Sequence, residues 1–158
     1  MTGPGNPPPP RVLLVCSPGG HLLQLLALEP AYADLDTSWV TLPGADVDHL
    51  LAGRRVTLAH GPTNRSLVNL ARNLRLAWRV VRRERPDAIL STGAALAVPF
   101  ALVGRLHGAR VVYVESLTRT RGLSLAGRMV YPLAGAFFVQ WPEAGGRRRR
   151  ARHAGSIL

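Results

Sequence analysis

The sequence predicts an α/β protein built on a doubly wound parallel sheet, and three observations carry that prediction. Short apolar runs rich in valine, leucine and isoleucine alternate with stretches of helical periodicity from residue 11 onward. Two of those runs pass through turns of small residues, Ser17-Pro18-Gly19-Gly20-His21 and Ser91-Thr92-Gly93, before the next helical stretch begins. Right-handed crossovers return the chain to the same strand direction, so such a series closes into a parallel sheet with helices on both faces, Rossmann-like in its winding. At 158 residues the chain has room for one domain, expected over residues 11–158 behind a disordered lead-in of proline and glycine at 1–10.

The elements follow in order. A first strand over 12–16 enters the first glycine turn, and a helix begins near Leu22. Residues 38–42 form a second strand ended by Pro43-Gly44, residues 47–52 a short helix, and residues 55–58 a weak third strand. The clearest helix runs over 66–84, where Leu67, Leu70, Ala71, Leu74, Ala77, Trp78 and Val81 share a face and Pro86 ends it. A strand over 87–91 leads through the second glycine turn to an apolar helix over 94–107, which Gly108 stops and Pro99 is expected to kink. A strand over 110–115, a helix over 123–133 and a strand over 136–140 complete the series.

Composition removes several chemistries. All 20 basic residues are arginine, within a net charge of +11, and the absence of lysine excludes Walker A phosphate loops, pyridoxal Schiff bases and lysine nucleophiles. A genome biased toward arginine codons also produces such an excess, so the preference is not itself a functional signal. The single cysteine, Cys16, rules out an internal disulfide and reads as a small buried hydrophobe in a reducing compartment. His21, His49, His60, His107 and His153 lack metal-ligand spacing, and neither a nucleophile elbow nor a GxGxxG fingerprint occurs. No metal and no cofactor are therefore expected. Asp46-Val47-Asp48 resembles the Asp-x-Asp motif of A-type glycosyltransferases, but it precedes a short helix, and Asp46 reads as a helix cap.

In open parallel sheets ligands bind beyond the carboxyl ends of the strands, which places residues 17–21, 91–93 and 115–116 on one rim. Ser17, Gly19 and Gly20 on the first turn, and Ser91, Thr92 and Gly93 on the second, can each hold one phosphate of a diphosphate. His21 and Glu115 are then left for a sugar hydroxyl. Taken singly, each feature also has a plain structural reading: glycines for tight turns and close helix packing, Glu115 as a solvated strand-end charge. No run reaches the roughly 20 apolar residues that span a bilayer, so a cytoplasmic chain, or one peripheral on the inner face of the cell membrane, is expected. On the long helix Arg72, Arg75, Arg79, Arg82 and Arg83 form a stripe beside the apolar face, suited to anionic headgroups and equally to plain solvation.

Five stretches carry a family resemblance: SPGGHLLQLLAL at 17–28, PTNRSLVNLARN at 62–73, RPDAILSTGAALAVPF at 85–100, VVYVESLTRTRGLSLAGRMVYP at 111–132 and FVQWPE at 138–143. In this order they resemble the acceptor-side subunit of two-component glycosyltransferases of bacterial capsule and exopolysaccharide synthesis. That family is related to the membrane-recruiting subunit of the eukaryotic dolichol-linked N-acetylglucosamine transferase. The resemblance implies the N-terminal half of a B-type glycosyltransferase, similar to the enzyme that glycosylates the peptidoglycan lipid precursor. It implies that Gly19, Gly20, His21, Ser91, Thr92 and Gly93 cradle the diphosphate of a polyprenyl-linked saccharide, with Glu115 at the matching strand end. His21 is then the candidate base, alone or with Glu115, for an inverting, metal-free transfer from a UDP-sugar. A separately encoded donor-binding subunit is implied, so that the chain is inactive alone, and residues 140–143 with the following tail are expected near that partner. Eukaryotic relatives carry a membrane anchor, whereas here recruitment to an anionic membrane is expected to rest on basic and apolar surface. Two departures stand out: Gln24 occupies a position that is often acidic in relatives, and the run 147–150 with Arg152 suits lipid phosphates, the partner or, most simply, a solvated loop.

Two other classes fit the charge or the fold. A scaffold would tether a catalytic partner to the membrane without touching substrate. A basic nucleic-acid-binding module is disfavoured because aromatic residues make up only 6% and are not interleaved with arginine, so no nucleic-acid partner is expected.

Overall fold

The computed structural model describes residues 7–63 and 66–157. Of the expected lead-in, residues 1–6 lie outside the described residues, while residues 7–10 are exposed and without regular structure. Seven parallel strands form one sheet in the order β3-β2-β1-β4-β5-β6-β7. They are β1 (Arg11–Val15), β2 (Asp36–Thr41), β3 (Val56–Leu58), β4 (Ala88–Ser91), β5 (Arg110–Val114), β6 (Ala136–Val139) and β7 (Ala151–His153). The helices are α1 (Gly20–Ala27), α2 (Ala45–Leu50), α3 (Leu67–Glu84), α4 (Ala97–Leu106), α5 (Leu125–Val130) and α6 (Pro142–Gly145). The sheet is doubly wound, as the sequence predicts, and its order reverses between β1 and β4.

Alternation along the strands sorts the core. Leu13, Val15, Ile89, Val111, Tyr113 and Phe137 face α3, α4 and α5, whereas Val12, Leu14, Cys16 and Trp39 face α1 and α2. The second layer stops short. Over β4, β5 and β6 its side of the sheet carries Leu90, Val112 and Phe138, which stay partly exposed along a hollow of about 480 Å³. Tyr32 and Leu35 wall this hollow on one side and residues 154–157 on the other.

The helix α3 is capped by Ser66, whose Oγ accepts the Asn69 N–H, and closes on Arg85 in the left-handed region at φ 45°. Its buried face is Asn69, Asn73, Leu76, Ala77, Val80 and Val81, which shares Ala77 and Val81 with the apolar face read from the sequence, while Leu74 packs partly against the core and Leu67, Leu70, Ala71 and Trp78 turn outward. The two asparagines explain the rotation. Asn73 exchanges two hydrogen bonds with the backbone of His60, and Asn69 donates to the Pro62 carbonyl, so the helix is held to the 59–62 segment by amide groups. Leu67 is left 82% exposed and Trp78 48% exposed.

Other expectations are corrected. Pro99 sits in the first turn of α4, where no intrahelical N–H bond is lost, so it does not kink the helix. Residues 147–150 of the arginine run lie in turns and are mostly exposed, as expected of a solvated loop, but the end of the run is tied to the fold. Arg152 lies in β7, which pairs with β6, and Arg150 stacks on Tyr131 at 5.0 Å while donating to its carbonyl. Asp46 does not cap α2: the helix begins after Gly44 without a side-chain cap, and the Asp46 carboxylate accepts the Gly19 N–H at 2.6 Å.

Candidate functional site

The carboxyl ends of β1 and β4 flank the point where strand order reverses, the position at which open α/β sheets open a crevice. The loops leaving those strands are locked together. His21 Nδ1 lies 2.9 Å from the Thr92 carbonyl, and the Thr92 hydroxyl donates to the His21 carbonyl at 2.6 Å. A carbonyl only accepts, so the neutral imidazole carries its proton on Nδ1 and keeps a lone pair on Nε2.

Gly93 makes this approach feasible. Its φ of 124° belongs to the region that favours glycine, and a Cβ there would stand 2.8 Å from His21 Cε1 and 3.4 Å from the Tyr113 hydroxyl. Tyr113 is 0% exposed and stacks on Phe137 at 5.0 Å. Burial first, and the Glu115 carboxylate second, push its phenol above the usual range, with the Ser124 hydroxyl offsetting part of that. Tyr113 is one more strand residue in the sequence pattern, where the only signal it gives is a phenol within the apolar run Val111-Val112-Tyr113-Val114.

Glu115 is not on the surface. It is 1% exposed, and its oxygens are committed inside the protein. Oε1 accepts the Ser116 N–H at 3.0 Å, while Oε2 accepts the Ser124 N–H at 3.0 Å and the Ser124 hydroxyl at 3.1 Å. Ser124 in turn caps α5 by accepting the Gly127 N–H at 2.9 Å. A Cβ on Gly127 would collide with Oε2, so glycine is needed there. The reading of Glu115 as a solvated strand-end charge is therefore replaced: it pins the start of α5 to the end of β5.

The phosphate-cradle residues divide. The first-turn N–H groups of α1, beginning at Gly20, have no intrahelical partner, and the helix has no side-chain cap. In contrast, the Gly19 N–H is taken by Asp46, and the Gly93 N–H donates to Ser91 Oγ at 3.2 Å. The Ser91 and Thr92 side chains are buried, and Ser17 stands partly exposed at the mouth of the first turn.

Gln24 and Gln140 back the rim. Gln24 Oε1 accepts from Gln140 Nε2 at 2.9 Å and from the Leu117 N–H at 3.3 Å, and Gln140 Nε2 also donates to the Glu115 carbonyl. A carboxylate at residue 24 could accept the same bonds, and here the amide serves structure. Trp141 is a half-buried anchor that donates to the Leu117 carbonyl at 2.7 Å. Arg72, Arg75, Arg79, Arg82 and Arg83 all lie exposed on α3, away from the core face; Arg83 pairs with Glu84, and Arg72 reaches Asn69. Among the described residues no group of histidine, cysteine or acidic side chains could hold a metal ion, and no helix is long and apolar enough to cross a membrane.

Comparison with known proteins agrees with this architecture. The crystal structure of MurG from Acinetobacter baumannii superposes on 86% of the chain with a TM-score of 0.69 at 21% identity. The UDP-N-acetylglucosamine 2-epimerase of Rickettsia bellii superposes on 94% with a TM-score of 0.74 at 11% identity. The chain spans 43% of the former and 45% of the latter, so it matches less than half of each B-type fold. Likeness at this level of identity shows the fold, and the fold alone does not name a reaction. In sequence, the UDP-N-acetylglucosamine transferase subunit ALG14 of Eremothecium gossypii is 32% identical over 191 residues, covering 99% of the chain and 84% of that protein. Residues 45–157 match the family described as "Oligosaccharide biosynthesis protein Alg14 like". On these two matches, the chain belongs to the Alg14-like family of oligosaccharide biosynthesis proteins.

Proposed function

We infer that the chain is the acceptor-binding subunit of a two-subunit glycosyltransferase that uses UDP-N-acetylglucosamine and a polyprenyl-diphosphate-linked sugar. The observation that carries this reading is the His21–Thr92 lock at the switch point of a single Rossmann-like half. It leaves Nε2 as a proton acceptor beside the uncapped N-terminus of α1. In this reading His21 Nε2 takes the acceptor hydroxyl's proton as that oxygen bonds to the sugar C1, and the bond from C1 to the diphosphate breaks. The configuration at C1 inverts, and the nucleoside diphosphate leaves with the partner. Gly20 and Ser17 face the acceptor diphosphate directly, whereas Gly19, Ser91, Thr92 and Gly93 shape its cradle. Glu115 acts through Ser124 and Tyr113 as a positioning residue rather than as a base.

The donor-binding partner seats over the hollow above β4–β6, whose apolar floor and flanking tail 154–157 offer a second subunit a ready hydrophobic contact. The inner membrane face meets α3, where the arginine stripe runs beside the exposed Trp78. The product class is lipid-linked oligosaccharide. A bacterial capsule or exopolysaccharide pathway is a narrower setting for the same chemistry, and the relatives named above do not carry it.

The scaffold reading also has one observation in its favour: the Gly19 and Gly93 amides already have internal acceptors. Transfer from labelled UDP-N-acetylglucosamine to membranes bearing lipid-linked acceptor separates the two. With the donor-side subunit present, His21→Ala is expected to lower transfer about a hundredfold or more while the two subunits still co-purify. Unchanged transfer would establish a scaffold, and transfer by this chain alone would overturn the split-enzyme reading.

A further inference from the structure

The N-termini of α3 and α4 both lie at the rim that holds His21, because each helix starts where a strand ends. Between them, with α5 as the third wall, runs a groove of about 210 Å³ lined mainly by Leu67, Leu70, Ala95, Val98, Pro99 and Met129, with the uncharged polar residues Thr63, Ser66 and Asn73 at its α3 side. Three features set it apart. In a chain with 20 arginines, none of the described residues lining the groove is charged. Its wall residues are unusually exposed for their type, Leu67 at 82% and Met129 at 49%. Its floor begins at Ala95, two residues beyond Gly93, so the groove continues the second glycine turn.

We propose that this groove seats the first one or two isoprene units of the acceptor's polyprenyl chain, so that the lipid is gripped by the protein before it enters the bilayer. The proposal rests on the acceptor-diphosphate reading above and assigns the groove to the next part of the same molecule. The volume fits it: pockets for drug-sized ligands run from about 300 to 1,000 Å³, so this one takes a short piece of chain and not a whole lipid. The chemistry fits as well. A branched, uncharged hydrocarbon finds apolar walls starting beside the turn that would hold its diphosphate. Arg72 and Arg75 on the exposed side of α3 keep the surface beyond the groove basic.

The test uses the full chain and a soluble series: inorganic pyrophosphate, then dimethylallyl, geranyl and farnesyl diphosphate, each below its micelle concentration, titrated by calorimetry. Affinity is expected to rise about tenfold or more per isoprene unit up to geranyl and to level at farnesyl. Leu67→Asn and Met129→Gln, both at exposed positions that the fold tolerates, are expected to remove that rise and leave pyrophosphate binding unchanged. Leu102→Asn, on α4 outside the groove, is expected to change nothing. A flat series with pyrophosphate binding intact overturns the groove and leaves the diphosphate reading standing. A rise that ignores Leu67→Asn and Met129→Gln also overturns it, because the chain then lies elsewhere. A flat series together with loss of binding to anionic vesicles in the same two variants assigns these residues to the bilayer instead and overturns the proposal. No binding by any member overturns the diphosphate reading and the groove with it.

Discussion

Replacing Glu115 by glutamine changes one atom and should cost the fold heavily. The carboxylate receives three donors, Ser116 N–H on Oε1 and Ser124 N–H and O–H on Oε2, with 1% of the residue exposed to water. Glutamine can place its amide nitrogen at either oxygen position. At the first it faces the Ser116 N–H, and at the second the Ser124 N–H, and neither backbone donor can turn away. One hydrogen bond to a charged group is lost, worth about 1.5–3 kcal/mol, and a buried donor is left unsatisfied. The net expectation is a loss of about 3 kcal/mol. For a domain of this size that lowers the melting temperature by roughly 6–12 °C. Urea unfolding followed by circular dichroism measures it, with an unchanged m-value confirming that the native and unfolded states are otherwise alike. If Glu115→Gln lies within about 0.5 kcal/mol of the parent yet abolishes transfer, the carboxylate faces the substrate and the positioning role assigned here is wrong.

Three further outcomes follow from the geometry. Gly93→Ala forces a Cβ to 3.0 Å from His21 Nδ1 at an unfavourable φ, so a stability loss of about 1–2 kcal/mol and a fall in transfer of tenfold or more are expected, read by unfolding and by the two-subunit assay. Cys16 is buried, and burial pushes its thiol up to about 12; alkylation at pH 8 should be roughly a thousandfold slower in the native chain than in urea. Because that thiol has its ordinary value of 9.0 when unfolded, its contribution to stability is complete below pH 9 and fades between pH 9 and 12, which Cys16→Ala should abolish. Changing Arg75, Arg79 and Arg82 together to glutamine removes three exposed charges at about 1 kcal/mol each near an anionic surface. Binding to phosphatidylserine vesicles should then drop about a hundredfold, and unchanged binding would move the membrane contact off α3.

Strand identities and the rim were legible because they depend on local signals: apolar runs, small turn residues, and the rule that ligands sit at carboxyl ends. The buried side of α3 was not. Periodicity cannot tell a core face from a neighbouring exposed face when both are apolar, and the buried face includes Asn69 and Asn73, which count as polar in any such pattern. The same blindness hid β7, since Ala151-Arg152-His153 has no apolar run and is a strand only because β6 offers it an edge. At the site, His21 and the glycines could be read from their loops. The embedding of Glu115 could not, because its partner Ser124 is nine residues away at the N-cap of the next helix and only the fold brings them together. Asp46 shows the converse: its carboxylate reaches back 27 residues to the Gly19 amide, a pairing no local capping rule contains.

The half-roofed sheet bears on how much of this chain a cell can keep. A chain that leaves Leu90, Val112 and Phe138 facing water forgoes hydrophobic stabilisation that a seated partner would supply. Anything that binds only the folded form stabilises it by mass action, by about 2.7 kcal/mol when present at a hundred times its dissociation constant. Supply of the donor-side subunit would then set the lifetime of this one. Copies made in excess would be the first to aggregate or be degraded, and the ratio of the two chains would correct itself without any dedicated control of expression.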